Sequence, residues 1–245
     1  MSPHHTLGTP AGVALASAVM NEEGTRAVDD YFTGALHPED PALDAALAAS
    51  AAAGLAERHV SPAQGKLLML LALMQRAKNI LEIGTRGGYS TIWLAKALPE
   101  NGRVVTLEAD PEHAEVARSN IARAELFDLV DIRVGRALDT LPTLIDETPR
   151  YFDLVSISAD PDEASYPDYL EWALRLSRRG TVIVAHNVVR DGAVTNASTE
   201  DPSVIGVRRF VELLAAETRI SATAIQTVGT QGWDGFAIGI VVANP

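Results

Sequence analysis

The sequence predicts an α/β protein: a doubly wound, mostly parallel seven-stranded sheet, closed by a C-terminal antiparallel hairpin and preceded by N-terminal helices. Three observations predict it. From residue 79 onward, short runs rich in Val, Ile and Leu alternate with amphipathic stretches of about 10–15 residues, the pattern of right-handed βαβ units. The last two apolar runs have no helix between them, so they pair as a hairpin. A chain of 245 residues with 47% hydrophobic content can bury one full core, and no repeat or low-complexity linker divides it. A single domain over 21–245 is expected, with helices over 21–77 and the α/β core over 78–245.

Residues 1–20 carry glycine and proline interruptions and no basic opening segment, which suits a disordered leader rather than a signal peptide. In the Ala- and Leu-rich stretch that follows, Asp29 and Asp30 read as turn or helix-start residues. Residues 40–55 read as a helix with Asp40 as N-cap and Pro41 behind it, and 61–77 repeat the signature with Ser61 and Pro62. Leu67, Leu68, Leu70, Leu71 and Met74 form the expected buried stripe of that second helix. Helices placed ahead of the first strand cover an active site or form a subunit interface.

The first strand is the run at Ile80, Leu81 and Ile83, stopped by Gly84. Strands follow at 102–110, 129–137, 152–158 and 181–189. Helices lie at 111–126, at 166–180 with Gly180 as the glycine beyond its end, and at 206–219. The closing strands are 223–231 and 235–243, linked by Trp233-Asp234-Gly235. The net charge of −12 argues against nucleic acid and anionic membrane surfaces as partners. The absence of cysteine excludes disulfides, thiolate nucleophiles and Cys-ligated zinc. No apolar run approaches the roughly 18 residues of a membrane span. A soluble, cytoplasmic protein is expected.

Asn79–Thr91, NILEIGTRGGYST, reads as strand, glycine turn and helix start. Such a turn lets the backbone approach a nucleotide-like ligand and aims helix N-terminal N–H groups at it. A dinucleotide fingerprint would be G-x-G-x-x-G, whereas this segment is Glu82-x-Gly84-x-x-Gly87-Gly88. Ligands of a doubly wound sheet sit at the carboxyl ends of the strands. That rule shortlists Glu82, Glu108, Gly135 to Ala137, Ser158 to Asp160, and His186-Asn187. Glu108 ends the second strand, where a carboxylate can accept both hydroxyls of a ribose. Capping of the next helix is its other role, although Asp110 beside Pro111 already serves there. Arg190-Asp191-Gly192 suits the shaping of substrate access, and Trp233 suits either an acceptor wall or hairpin packing. His113 reads as solvated, His37 and His59 as helix-end residues, and Tyr166 and Tyr169 as core.

Val60-Ser61-Pro62-Ala63-Gln64-Gly65, Glu82 to Ser90, Glu108, Gly135, FDLV at 152–155 and AHNVVRDGAV at 185–194 together resemble the catechol- and caffeoyl-CoA-type O-methyltransferases, and more narrowly their small bacterial relatives. The resemblance runs from about residue 25 to the C-terminus. It implies S-adenosylmethionine as donor and a Rossmann-like methyltransferase sheet of seven strands, the last antiparallel. It also implies a small phenol- or catechol-like acceptor and a homodimer formed through the N-terminal helices. By resemblance the Val60 backbone and Ser90 hold the donor's methionine carboxylate, and Gly84 makes room for it. Glu82 lies near the amino end, Glu108 takes the ribose, and Ala137 offers its N–H to the adenine. Tyr89 and Asp160 complete the donor set.

The departures fall on the catalytic centre. In the family the fourth strand ends in D-A-D-K and the fifth in D-N, and two Asp with the Asn hold a divalent ion. Counting forward from Phe152-Asp153, these positions become Ser158, Asp160 and Pro161, and the D-N pair becomes His186-Asn187. Counting backward from Ser165-Tyr166-Pro167 gives Asp160, Asp162 and Glu163 instead. The forward count is preferred because insertions fall in loops more readily than in strands. The lysine is missing in both. Replacing Asp by Ser and by His leaves a poor cage for Mg²⁺. Three outcomes stay open for the catalytic candidates His186, Asp160 and Ser158. Mg²⁺ binding is weak or absent and His186 accepts the acceptor's proton; or Asp160, His186 and Asn187 hold Zn²⁺, Mn²⁺ or Fe²⁺; or His186 is a spacer in a site that no longer catalyses. The alternative functions are a nicotinamide-dependent oxidoreductase and a non-catalytic binder of S-adenosylmethionine or S-adenosylhomocysteine.

Overall fold

A computed structural model describes residues 22–37, 39–55, 60–147, 151–158 and 162–244. The expected leader, His59 and Asp160 lie outside the described residues. Three helices come first: α1 (Glu22–Leu36), α2 (Pro41–Ala52) and α3 (Pro62–Gln75). Asp29 and Asp30 fall inside α1 rather than at a helix start. Asp40 caps α2 by accepting the N–H groups of Ala42 and Leu43, and Ser61 with Gln64 closes a reciprocal capping box on α3.

The buried face of α3 is Gly65, Leu68 and Ala72, whereas Leu70 and Met74 are 44% and 71% exposed. This corrects the expected stripe. Leucines surround α3 on nearly every side, so periodicity could not select a face, and close approach decided it. A Cβ on Gly65 would stand 2.3 Å from the Trp93 indole, so the smallest side chain lies where the packing is tightest.

The sheet contains β1 (Asn79–Ile83), β2 (Arg103–Glu108), β3 (Val130–Val134), β4 (Phe152–Ile157), β5 (Ser177–His186), β6 (Ile220–Gly229) and β7 (Gly232–Val241). Their order is β3-β2-β1-β4-β5-β7-β6, with the first five parallel and β7 antiparallel to both neighbours. Between the strands run α4 (Tyr89–Ala95), α5 (Pro111–Arg123), the short α6 (Ala137–Thr140), α7 (Tyr166–Arg175) and α8 (Pro202–Ala216). One core packs α7 and α8 against the sheet through Tyr166, Tyr169 and Phe210. The opposite core packs α3 and α4 through Leu68, Ala72 and Leu94. The order reverses between β1 and β4, which opens a crevice at the carboxyl ends of the strands.

Several expected boundaries move. α7 stops at Arg175, and Gly180 is not a helix-terminal glycine. It sits at φ +97° inside β5, where the pairing with β4 slips between Phe152 and Leu154. α8 begins at Pro202 behind an Asp201 N-cap, four residues before the expected start, and ends at Ala216. β5 ends at His186 rather than 189. β6 and β7 each start three residues earlier than expected and meet across a Thr230–Gln231 turn, which places Trp233 within β7, opposite Val228.

Candidate active site

The glycine turn is held from three sides. Arg86 adopts φ +49° and its N–H donates to Glu108 Oε2 at 2.6 Å. The buried Asn120 side chain of α5 donates to the Gly87 carbonyl at 2.9 Å. Gly88 caps α4 at φ +79°, and a Cβ there would come within 3.3 Å of the Ala117 backbone, so both its conformation and its packing call for glycine. Glu108 is 6% exposed and accepts a second N–H, from Asp110 at 3.0 Å, while Asp110 itself caps α5. These contacts fix the carboxylate at the wall of a cavity of about 420 Å³ lined by Gly84, Arg86, Glu108, His113, Ala137 and Tyr169.

The cavity thus joins the tips of β1 and β2 with α6. Gly84 (φ +99°) brings bare backbone to it, and Ala137 is the first residue of α6, where an N–H has no acceptor within the helix. His113 was expected to be merely solvated. It lines the cavity with Nδ1 at 3.7 Å from Glu108 Oε1. Arg86 and Tyr169 also line it without having been foreseen as site residues, and so does Asp162, which the backward count puts in the family's D-A-D-K motif rather than in the donor set. Tyr169 donates to Asp162, and burial followed by that carboxylate pushes its phenol pKa up.

Glu82 lies one layer below. It is fully buried and accepts the hydroxyls of Ser90, Thr91 and Thr106 at 2.6, 2.5 and 2.7 Å. Burial raises its pKa, and the three hydroxyls oppose that rise. The Ser90 hydroxyl is therefore engaged by Glu82, and its backbone N–H, at the second residue of α4, is the group without an acceptor inside the helix. Tyr89 and Val60 do not line the 420 Å³ cavity. They pack with Leu43, Ala46, Ile92 and Trp93, tying the N-terminal helices to α4.

At the other end of the crevice, β4 pairs with β1 in unbroken register from Leu154 to Ile157, and the Ser158 N–H continues the ladder to the Ile83 carbonyl at 2.8 Å. His186 ends β5. Its ring is 3% exposed, burial lowers its pKa to about 4, and Nε2 has no hydrogen-bond partner among the described residues. Its carbonyl accepts the Tyr166 hydroxyl at 3.0 Å. Asn187 follows at φ +58° and opens onto a second cavity of about 290 Å³ with Gln64, Arg190, Asp191, Trp233 and Asp234. Asp234 Oδ1 shapes that wall by accepting the N–H groups of Val189, Arg190 and Gly235 at 3.0, 3.2 and 2.8 Å. The Arg190 guanidinium pairs with buried Glu163 at 2.5 Å. Asp162, on the first cavity, and Glu163, paired with Arg190 of the second, are thus consecutive residues.

The 420 Å³ cavity offers an adenosyl ligand an acidic group at a strand tip, a glycine that exposes backbone, and a helix-start N–H. The tips of β4 and β5 fit poorly the magnesium that the family resemblance implies. Ser158 supplies no charge, and His186, neutral and buried, lines neither cavity. Among the described residues no three His, Asp or Glu side chains are grouped to hold one ion. Also among these residues, no helix is long and apolar enough to cross a membrane.

A family model described as O-methyltransferase matches residues 37–233. The chain is 51% identical over 222 residues to a catechol O-methyltransferase of Niastella koreensis, covering 91% of this chain and 100% of that one. It is equally identical over 214 residues to a catechol O-methyltransferase of Mycobacterium tuberculosis, covering 87% and 94%. Among solved structures it is similar to an O-methyltransferase from Bacillus cereus in complex with S-adenosylhomocysteine, at 54% identity, TM-score 0.88 and coverage of 90% and 100%. TomG of Streptomyces achromogenes, an O-methyltransferase of tomaymycin synthesis solved with S-adenosylmethionine, is 49% identical with a TM-score of 0.87, covering 91% and 100%. With these matches spanning the crevice and its glycine turn, the chain belongs to the S-adenosylmethionine-dependent O-methyltransferase family of the catechol type.

Proposed function

We propose that this protein methylates a hydroxyl of a small phenol- or catechol-like acceptor without a magnesium ion. The observation that carries the donor half is Glu108, whose two oxygens are oriented by backbone N–H groups at the wall of the donor cavity. Bound there, S-adenosylmethionine would supply an electrophilic methyl group for in-line displacement. The chain's own part is positioning. Glu108 accepts the ribose hydroxyls, Gly84 leaves room for the methionine end, and Ala137 donates to the adenine. Ser90, second residue of α4, has an N–H without an acceptor inside the helix, which suits a carboxylate beside the Val60 backbone. Glu82 acts indirectly, by holding the Ser90 hydroxyl and the β2 tip.

The acceptor reading rests on the cavity beside Asn187, with Trp233 as an aromatic wall. Ser158 and His186 replace the charged ligands of the family, so the metal's role in acidifying a hydroxyl has no charged cage among the described residues. Asp160, outside those residues, with His186 and Asn187 is the one remaining ligand set, and a neutral imidazole in it favours a transition ion over Mg²⁺. Without an ion, His186 is the strand-tip candidate base, a weak one given its lowered pKa, and its buried ring lies outside the lining of the cavity beside Asn187, so it must become exposed to reach a hydroxyl. The nicotinamide reading has no support, since its glycine fingerprint is absent. A homodimer through α1 and α3 is proposed as well, supported by the exposed Tyr31, Phe32, Leu36, Leu73 and Met74.

The test is methyl transfer to catechol in EDTA and after restoring each divalent ion. Turnover in EDTA that Mg²⁺ leaves unchanged is the expected result. Dependence on Mg²⁺ would refute the proposal, and rescue by Zn²⁺, Mn²⁺ or Fe²⁺ alone would assign Asp160, His186 and Asn187 as ligands. Donor binding with no turnover of any acceptor would leave a binding protein.

A further inference from the structure

Two cavities meet along a wall shared by Gln64, Thr227, Gln231 and Gly232. The first, of about 290 Å³, contains Asn187 and Trp233. The second, of about 200 Å³, is walled by Ala63, Leu67, Val228 and Phe236. Gln64 and Thr227 line both, and Gln64 Nε2 donates to Thr227 Oγ1 at 3.2 Å. The direction of that bond is set locally. Gln64 Oε1 accepts the Ser61 N–H at 3.2 Å in the capping box, which leaves the amide nitrogen to face Thr227. The far end of the second cavity is fixed by α1. Asp29 lines it and accepts the Thr230 N–H at 2.8 Å, and a Cβ on Gly229 would fall 2.0 Å from Asp29 Oδ2.

The two compartments differ in chemistry. Asn187, Arg190, Asp191 and Asp234 make the first polar, whereas the second presents mostly apolar surface, from Ala63, Leu67, Val228 and Phe236, although Asp29, Ser61 and Gln231 line it as well. We propose that the second cavity is a subsite for an apolar substituent of the acceptor, and that the Gln64–Thr227 bond is the partition that sets which substituents enter. The proposal rests on the acceptor reading given above. The substrate class it selects is a catechol or phenol bearing an uncharged alkyl or aryl chain. The ring lies beside Asn187 and Trp233, and the chain passes Gln64 toward Leu67 and Phe236. A neutral amide-to-hydroxyl bond suits a partition, because such bonds are weak in net terms and are readily exchanged for solvent.

The test compares kcat/KM for catechol and its methyl-, propyl- and hexyl-substituted derivatives in the full-length protein. Thr227→Val keeps the β-branched shape that suits β6 and removes the acceptor oxygen. It should raise kcat/KM for hexylcatechol relative to catechol by roughly two- to tenfold, the worth of one neutral hydrogen bond. Ala63→Leu fills the second cavity from the first turn of α3 and should lower the same ratio. Turnover by both variants with the wild-type chain-length profile would overturn the subsite and leave the acceptor reading intact. Wild-type protein that methylates no member of the series would overturn the acceptor reading, and the subsite with it.

Discussion

His186→Gln isolates the free energy of one buried imidazole. The wild-type ring is 3% exposed, and burial takes its pKa to about 4, against an ordinary value near 6.5. Between those values the unfolded chain binds a proton that the folded chain refuses, so stability rises with pH through that window. The contribution is complete above about pH 6.5 and is lost as pH falls through about 4. At about 1.4 kcal/mol per unit, the shift corresponds to about 3 kcal/mol. Glutamine is polar and does not titrate. All other ionisable groups, including the raised Glu82 and the lowered Asp153, are common to both proteins and cancel in the difference. The assay is urea unfolding followed by tryptophan fluorescence, in EDTA, at intervals from about pH 4 to 7.5. Wild-type minus variant stability should climb by about 2–3 kcal/mol across that range. A flat difference would refute the reasoning, because it would mean that the ring is hydrated or hydrogen-bonded as an imidazolium in the folded protein.

Two further outcomes follow from the cavities. Glu108→Ala should weaken S-adenosylmethionine binding by roughly a hundredfold in calorimetry, the loss of two hydrogen bonds to a charged acceptor; a change below about threefold would place the ribose elsewhere. Asp191, Asp201 and Asp234 line the proposed acceptor cavity together with Arg190, whose guanidinium is engaged by Glu163. A catechol carrying a carboxylate should therefore show kcat/KM roughly tenfold below a neutral one at low salt, with the gap narrowing as ionic strength rises; a preference for the carboxylate would refute that account.

How much of the fold could be read depended on whether each signal was local. Asp40-Pro41, Ser61-Pro62 and Asp110-Pro111 each begin a helix where the sequence analysis put it, because an N-cap and a following proline act within one turn. Asp201-Pro202 carries the same signal and starts α8 four residues ahead of the helix expected from the apolar run at Gly206. Gly180 misled for a different reason. A glycine after a helical pattern commonly marks the helix end, yet here α7 had already stopped at Arg175 and the glycine serves a bulge dictated by pairing with β4. The buried face of α3 was not readable at all, since a helix of leucines has no unique apolar side until a neighbour such as Trp93 selects one.

The site proposed above divides along the same line. Its donor half is built from the glycine turn, from the β2 tip and from the first residue of α6. Three of the residues named for it, Gly84, Glu108 and Ala137, line one cavity. Its acceptor half depends on contacts between parts of the chain far apart in sequence. Gln64 meets Thr227 across 163 positions, Asp29 meets Thr230 across 201, and Arg190 meets Glu163 across 27. No spacing rule announces such pairs. The exchange of Asp for His at 186 was visible as a letter, but its consequence was not, because the consequence is burial. An exposed histidine beside Asp160 would be a base near neutrality, and a carboxylate there would attract a cation. A ring closed off at the end of β5, with Nε2 unpartnered among the described residues, is a neutral group of low basicity. On the metal-free reading proposed above, catalysis on that side comes chiefly from how closely the cavity walls hold the acceptor against the donor, so substituent size at Gln64 and Thr227 should govern the rate more than pH does near neutrality.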